Sequence, residues 1–211
     1  MQGLTLVDGA TMLKERLTAF SDGVIAIIIT IMVLELKAPH GSDWMALLPL
    51  APTFIAYGLS FAYIAIYWNN HHHLLQATHR VNGAILWANT HLLFWLSLVP
   101  FSTAWLSETH FAEAPAALYG ITLLLPAIAY FMLSRTLIRS GALDQNVADA
   151  IGADMKGKIS LAFYCCGVLV AFVQPYAAMA LYAVVAMIWL VPDRRIESRI
   201  DAGAENERIQ P

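Results

Sequence analysis

Apolar residues in this chain come in long blocks separated by short polar punctuation. The first block, Leu17–Leu36, covers 20 residues. At 1.5 Å rise per residue it spans about 30 Å, the hydrocarbon thickness of a bilayer. Lys37–Asp43, with Pro39 and Gly41 as breakers, stops it. The second block, Trp44–Trp68, carries a tryptophan at each end, where interfacial belts place them. A connector rich in imidazole, Asn69–Asn82, leads to a third block, Ala84–Leu106, interrupted by Pro100. After an acidic loop, Ser107–Ala114, the fourth block runs over Pro115–Ile138. Pro126 is predicted to kink it and to free a carbonyl that a neighbour must meet. The polar stretch Arg139–Gly157 reads as a partly helical loop. The last two blocks, Lys158–Val173 and Pro175–Val191, are joined so tightly at Gln174–Pro175 that they predict a helical hairpin.

The pattern therefore predicts an all-α, polytopic membrane protein with six transmembrane helices. Residues 1–15 read as a cytoplasmic lead with a helix start at Asp8 or Thr11, 16–192 as the transmembrane domain, and 193–211 as a charged tail. Composition agrees. Of 211 residues, 59% are hydrophobic and 13% charged, with mean hydropathy +0.61, whereas soluble domains sit near 45–50% and about 25%. The net charge of -3 says little, but its placement says more. Eleven of the twelve Lys and Arg residues fall on one side of a six-span layout, and only Lys37 falls on the other. The positive-inside rule then puts both termini in the cytoplasm and calls for an even number of spans. The first 16 residues mix acids with bases and precede no A-x-A-like cleavage site, so no signal peptide is expected. Cys165 and Cys166 are adjacent, point about 100° apart on a helix, and read as packing residues.

Candidate chemistry begins inside the first block. Arg16-x-x-x-Phe20-Ser21-Asp22 opens it, and a carboxylate at that depth costs about 2.5 to 3.5 kcal/mol unless it finds a partner. Arg16 and Asp22 lie six residues apart, about 240° around the helix, so each must look to other helices. Phe20, Gly23 or Val24, Ile27, Thr30 or Ile31, and Leu34 stack in one stripe. Ordinary helix packing is the plain interpretation of such a stripe. Against it, small residues that allow close backbone approach are few, and Thr30 adds a hydroxyl near the middle.

His71, His72, His73, His79 and His91 invite a zinc reading, but structural zinc sites pair such spacings with Cys or carboxylates, and none is near in sequence. The better expectation is that one or two of these imidazoles, His73 among the candidates, join Trp68, Asn69 and either Asn89 or His91 in hydrogen-bonding the Ser21–Asp22 end of the first helix. A nucleophile with a base at helical spacing, a phosphate loop and a cofactor fingerprint are all missing, so neither an enzyme nor a cofactor is expected.

Arg16-x-x-x-Phe20-Ser21-Asp22 at the head of a first apolar span resembles the signature of the transmembrane protein 175 family. These are potassium-permeable channels of endosomes and lysosomes, with shorter bacterial homologues. The resemblance covers the motif specifically and the six-span layout over about residues 12–192. It implies a homotetramer in a bacterial cell membrane, with the first helix lining a central pore. It further implies a constriction at Ile27, a selectivity hydroxyl at Thr30 and a second apolar ring at Leu34, with Ile31 and Gly23 on the same face. Arg16, Phe20, Ser21 and Asp22 would serve as a structural network. The physics is compatible. One helix cannot enclose a water path, so a chain with a single pore helix must assemble around an axis. A ring of Ile27 side chains would gate by dewetting.

No Thr-Val-Gly-Tyr-Gly carbonyl filter is present, so selectivity must come from pore dimension and Thr30. The expected partners are copies of itself, the lipid bilayer and permeant potassium ions, with no nucleic acid and no metal beyond permeating potassium. Two rivals remain. A proton-coupled secondary transporter would use Asp22 and the histidines as a relay, but no inverted repeat is visible. A membrane-embedded metalloenzyme would need carboxylates beside the histidines.

Overall fold

The computed structural model of the chain describes residues 2–152 and 155–190. Its regular elements are helical: α1 (Gln2–Leu34), a 3-10 segment (Trp44–Leu50), α2 (Ala51–Gln76), α3 (Gly83–Leu96), α4 (Val99–Glu108), α5 (Glu113–Arg139), α6 (Gln145–Gly152), α7 (Met155–Ala171) and α8 (Pro175–Leu190). Four helical stretches are long and apolar enough to cross a bilayer: Thr11–Leu34, Trp44–Gln76, Gly83–Glu108 and Glu113–Arg139. Helices α7 and α8, at 17 and 16 residues, form the expected hairpin and are shorter.

Several boundaries depart from the sequence expectation for identifiable reasons. Helix α1 starts at Gln2 and runs 33 residues without a break, so the segment before Arg16 is helical from an earlier point than Asp8 and continuous with the first block. No Pro or helix-ending turn lies between Gln2 and Arg16 to stop it. Helix α2 runs eight residues past Trp68, taking in half of the imidazole-rich connector. Its end comes only at Ala77, and Asn82 then caps α3 by accepting from the Ile85 backbone N–H at 3.0 Å. The interruption in the third block falls at Ser97–Leu98, because Pro100 sits in the first turn of α4, where a missing N–H costs nothing. Pro126, by contrast, lies inside α5 without ending it. The Arg139–Gly157 loop contains α6, and α7 begins at Met155 instead of Lys158. The charged tail 193–211 lies outside the described residues.

Two buried clusters organise the packing. One joins α1 to α3 and the second half of α5 through Leu17, Ile25, Ile28, Met32, Leu92, Leu96, Leu133 and Leu137. The other joins α2 to α5, α7 and α8 through Tyr63, Tyr119, Leu123, Tyr164, Tyr182 and Val185. In the second cluster α5 and α7 approach the Tyr182 ring so closely that a Cβ at Gly120 or Gly167 would overlap it. Small residues permit that approach, as between membrane helices generally.

One further feature fixes the assembly at the end where α2 stops. The α2–α3 connection is stitched to the turn after α5 by a Thr78–Leu143 bridge and by His79 N–H donating to the Ala142 carbonyl at 2.9 Å. Arg80 donates to the Ser140 carbonyl, Asn82 Nδ2 donates to Ser140 Oγ at 3.3 Å, and His79 lies 3.0 Å from Asp144. Gly141 takes φ +57° in this turn, a conformation that favours glycine.

Candidate ion path and the network behind it

Helix α1 has two faces. Leu17, Ser21, Ile25, Ile28 and Met32 recur at i, i+4, i+8, i+11 and i+15 and are buried against the rest of the bundle. The opposite stripe points away from the chain. Phe20 is 59% exposed, Ile27 58%, Ile31 43% and Leu34 77%, and Gly23 and Thr30 lie exposed on the same side. Thr30 Oγ1 donates to the Ile27 carbonyl at 2.8 Å. Its one hydrogen is thus used within the helix, and the oxygen lone pairs are left facing outward, where they could coordinate a cation.

The buried face carries a polar chain at the level of the motif. Ser21 Oγ donates to the Leu17 carbonyl at 2.8 Å and accepts from Asn89 Nδ2 on α3 at 2.9 Å. Asn89 Oδ1 lies 2.6 Å from His71 Nε2 on α2. Since the Asn89 amide spends a hydrogen on Ser21, its oxygen must accept, and His71 Nε2 is therefore assigned as the protonated nitrogen. Ser21 and Asn89 are fully buried and His71 is 1% exposed, so three helices meet through groups that have no access to water. Beside them, Trp68 Nε1 donates to Asp22 Oδ1 at 3.0 Å while its ring stacks on His72. Two turns earlier Lys14 Nζ donates to the Gln76 carbonyl at 2.8 Å, closing the end of α2.

The helical phase decides which of the sequence candidates meet. Asn89 and His91 lie about 200° apart on α3, so only one can face α1. That one is Asn89; His91 instead accepts from Trp95 on its own helix at 2.7 Å. His73, named among the candidates, sits about 200° from His71 and turns its ring to His72. Asn69 is exposed. His73, His91 and Asn69 are thus corrections to the expected network, and His71 takes the place expected of His73. The phase could have shown this, because Ile64, His71 and Leu75 form one buried stripe on α2. Lys14 left no comparable signal: its acceptor is a backbone carbonyl. Arg16 is exposed and, among the described residues, has no hydrogen-bond or ion-pair partner. Among those residues, no three His, Cys, Asp or Glu side chains converge as a metal site.

The family profile described as endosomal/lysosomal potassium channel TMEM175 matches residues 16–100, the stretch from the motif to the start of α4. A potassium channel of Chryseobacterium sp. (strain P1-3) is 54% identical over 189 residues, covering 90% of this chain and 98% of that one. The chain belongs to the TMEM175 family. A crystal structure of a lysosomal potassium-selective channel TMEM175 homolog from Chamaesiphon minutus superposes with a TM-score of 0.74 at 31% identity, covering 85% of this chain and 97% of that one. The human endosomal/lysosomal proton channel TMEM175 is 32% identical over 114 residues, which is 48% of this chain but 22% of that much longer one. In this TMEM175 chain, Arg16–Asp22 spreads over both faces of one helix: Ser21 turns into the bundle and Phe20 out of it.

Proposed function

We propose that the chain is a potassium-permeable cation channel that conducts passively through a central pore. Four copies surround the pore with α1, six spans per chain place both termini in the cytoplasm, and the site of action is the bacterial cell membrane. Ile27 forms the hydrophobic constriction, Leu34 a second apolar ring, and Ile31 and Gly23 complete the wall. Thr30 supplies the hydroxyls that favour potassium. Arg16, Phe20, Ser21 and Asp22 act as a clamp that holds the helix.

The observation that carries this reading is the split character of α1. Its inner face is fixed by Ser21 and Asp22 to two other helices, while Ile27, Ile31 and Leu34 on its outer face stay largely uncovered by their own chain. A helix anchored on one side and bare on the other is what a symmetric ring requires. Potassium as the ion is supported by the names of the bacterial relatives. A proton-coupled carrier finds less support, since His71, the buried imidazole nearest the motif, spends its one N–H on Asn89.

Reconstitution tests the proposal. Vesicles loaded with potassium should discharge it down its gradient without a proton gradient, and Ile27→Ser should raise the flux several-fold while reducing discrimination against sodium. Flux that requires protons at fixed stoichiometry would sink the channel reading. Unchanged flux in Ile27→Ser would place the constriction elsewhere.

A further inference from the structure

From the register of α1 we infer that Glu35 is a charge-selecting residue of the conduction path, concentrating cations at the extracytoplasmic mouth. The inference rests on the channel reading above. Ile27, Ile31 and Glu35 follow one another at i, i+4 and i+8, so the carboxylate continues the exposed stripe by one turn. Past the end of regular helix the backbone tightens by one 3-10 turn, with Glu35 N–H donating to the Met32 carbonyl at 3.3 Å and Leu36 N–H to that of Val33 at 3.0 Å, and Glu35 remains beside Ile31. All three side chains line one open groove, together with Val24, Ile28 and Pro100.

The placement is unfavourable within one chain. A carboxylate at a helix C-terminus faces the negative end of the helix dipole, and the last turn of α1 contains no basic residue. Glu35 makes no ion pair among the described residues, although Lys37 lines a neighbouring groove with it and Glu108. The bundle leaves the side chain exposed. An acid that its own fold disfavours, set at the open end of an otherwise aliphatic stripe, has a purpose when four copies share an axis. Electrostatic focusing at a pore mouth raises the local concentration of the permeant ion. If four carboxylates stood about 8 Å from the axis, screened by a Debye length of about 10 Å near 0.1 M salt, they would enrich a monovalent cation about fivefold. Near 1 M, where the Debye length is about 3 Å, the enrichment falls close to unity. The other charged groups at this end, Lys37, His40, Asp43, Glu108 and Glu113, lie off the stripe, and their effect should be smaller.

The test is single-channel recording of the full chain in planar bilayers. Glu35→Gln should lower the unitary current entering from the extracytoplasmic side about two- to fivefold near 0.1 M potassium chloride. The current leaving from the cytoplasmic side should change little, and the deficit should vanish near 1 M. Glu108→Gln, the off-axis control, should change neither. Should Glu35→Gln fail to assemble, Glu35→Cys in a Cys165→Ser/Cys166→Ser background reads the charge on channels already formed. An anionic thiosulfonate should restore the inward current and a cationic one should depress it. Equal inward and outward loss, a loss that persists in high salt, or no response to the sign of the label would overturn the role of Glu35. Wild-type channels that pass no potassium would instead overturn the channel reading itself, so the two failures are distinguishable.

Discussion

Asn89→Leu should be the most damaging single change in the polar chain behind α1. Leucine keeps asparagine's branching at Cγ and is the larger side chain, so no cavity is created and the cost is mainly polar, with some overpacking. Two hydrogen bonds are lost, to Ser21 and to His71, each worth about 0.5 to 1.5 kcal/mol net. Ser21 retains its bond to the Leu17 carbonyl, but the His71 Nε2–H is left buried without an acceptor, a penalty of about 1 to 3 kcal/mol. The expected loss is about 2 to 4 kcal/mol. At roughly 2 to 4 °C per kcal/mol for a chain of this size, the unfolding midpoint should fall by about 5 to 15 °C.

The decisive measurement is the double variant. Replacing both members of a buried pair by apolar groups removes the orphan, so His71→Phe/Asn89→Leu should be less destabilised than the sum of the single variants by at least about 1 kcal/mol. Heating purified protein in detergent and following the folded peak by size exclusion gives all four midpoints. Additive costs would refute the hydrogen-bonded arrangement and leave only packing.

Two other expectations follow from contacts on the page. Gly120→Ala would push a methyl into the Tyr182 ring and to 2.9 Å from Val168 Cγ2, and should cost about 1 to 3 kcal/mol in the same assay. Gly58→Ala, with nothing within 4 Å of the added atom, should be neutral or stabilising. Trp68→Phe keeps the ring but removes the Nε1 donor to Asp22, and should lower the midpoint unless Asp22→Asn is added. A midpoint for Trp68→Phe equal to wild type would show that this bond contributes nothing.

Much of this could be read from the residues, and the remainder could not for physical reasons. Block length and apolar content carry the helical membrane character, because bilayer thickness acts on sequence directly. That Phe20, Ile27 and Leu34 share one stripe is legible from 3.6-residue periodicity, whereas its outward direction is not, because the other faces of α1 are apolar as well. Which imidazole reaches Asn89 was less visible. Three adjacent histidines differ by 100° steps, and the choice depends on where α3 crosses α2, a tertiary fact. The end of α2 was misjudged for a related reason: a polar run without Gly or Pro stays helical when its neighbours supply packing for Leu74 and Leu75. Glu35 carries no sequence signal of its own, since its cost shows only when helix direction and lack of a cation partner are seen together.

The stitch between the α2–α3 connection and the turn after α5 has a consequence for heredity as much as for shape. His71 stands two turns before this stitch and Asn89 two turns after it. The vertical offset between those side chains is therefore set by a turn some sixty positions downstream, at Ser140 to Leu143. A change at Gly141, where φ is +57°, should travel to α1 as a slip in helix height. Substitutions in that surface turn and in the buried polar chain should accordingly compensate or aggravate one another, although no atom of the turn touches α1's outer face.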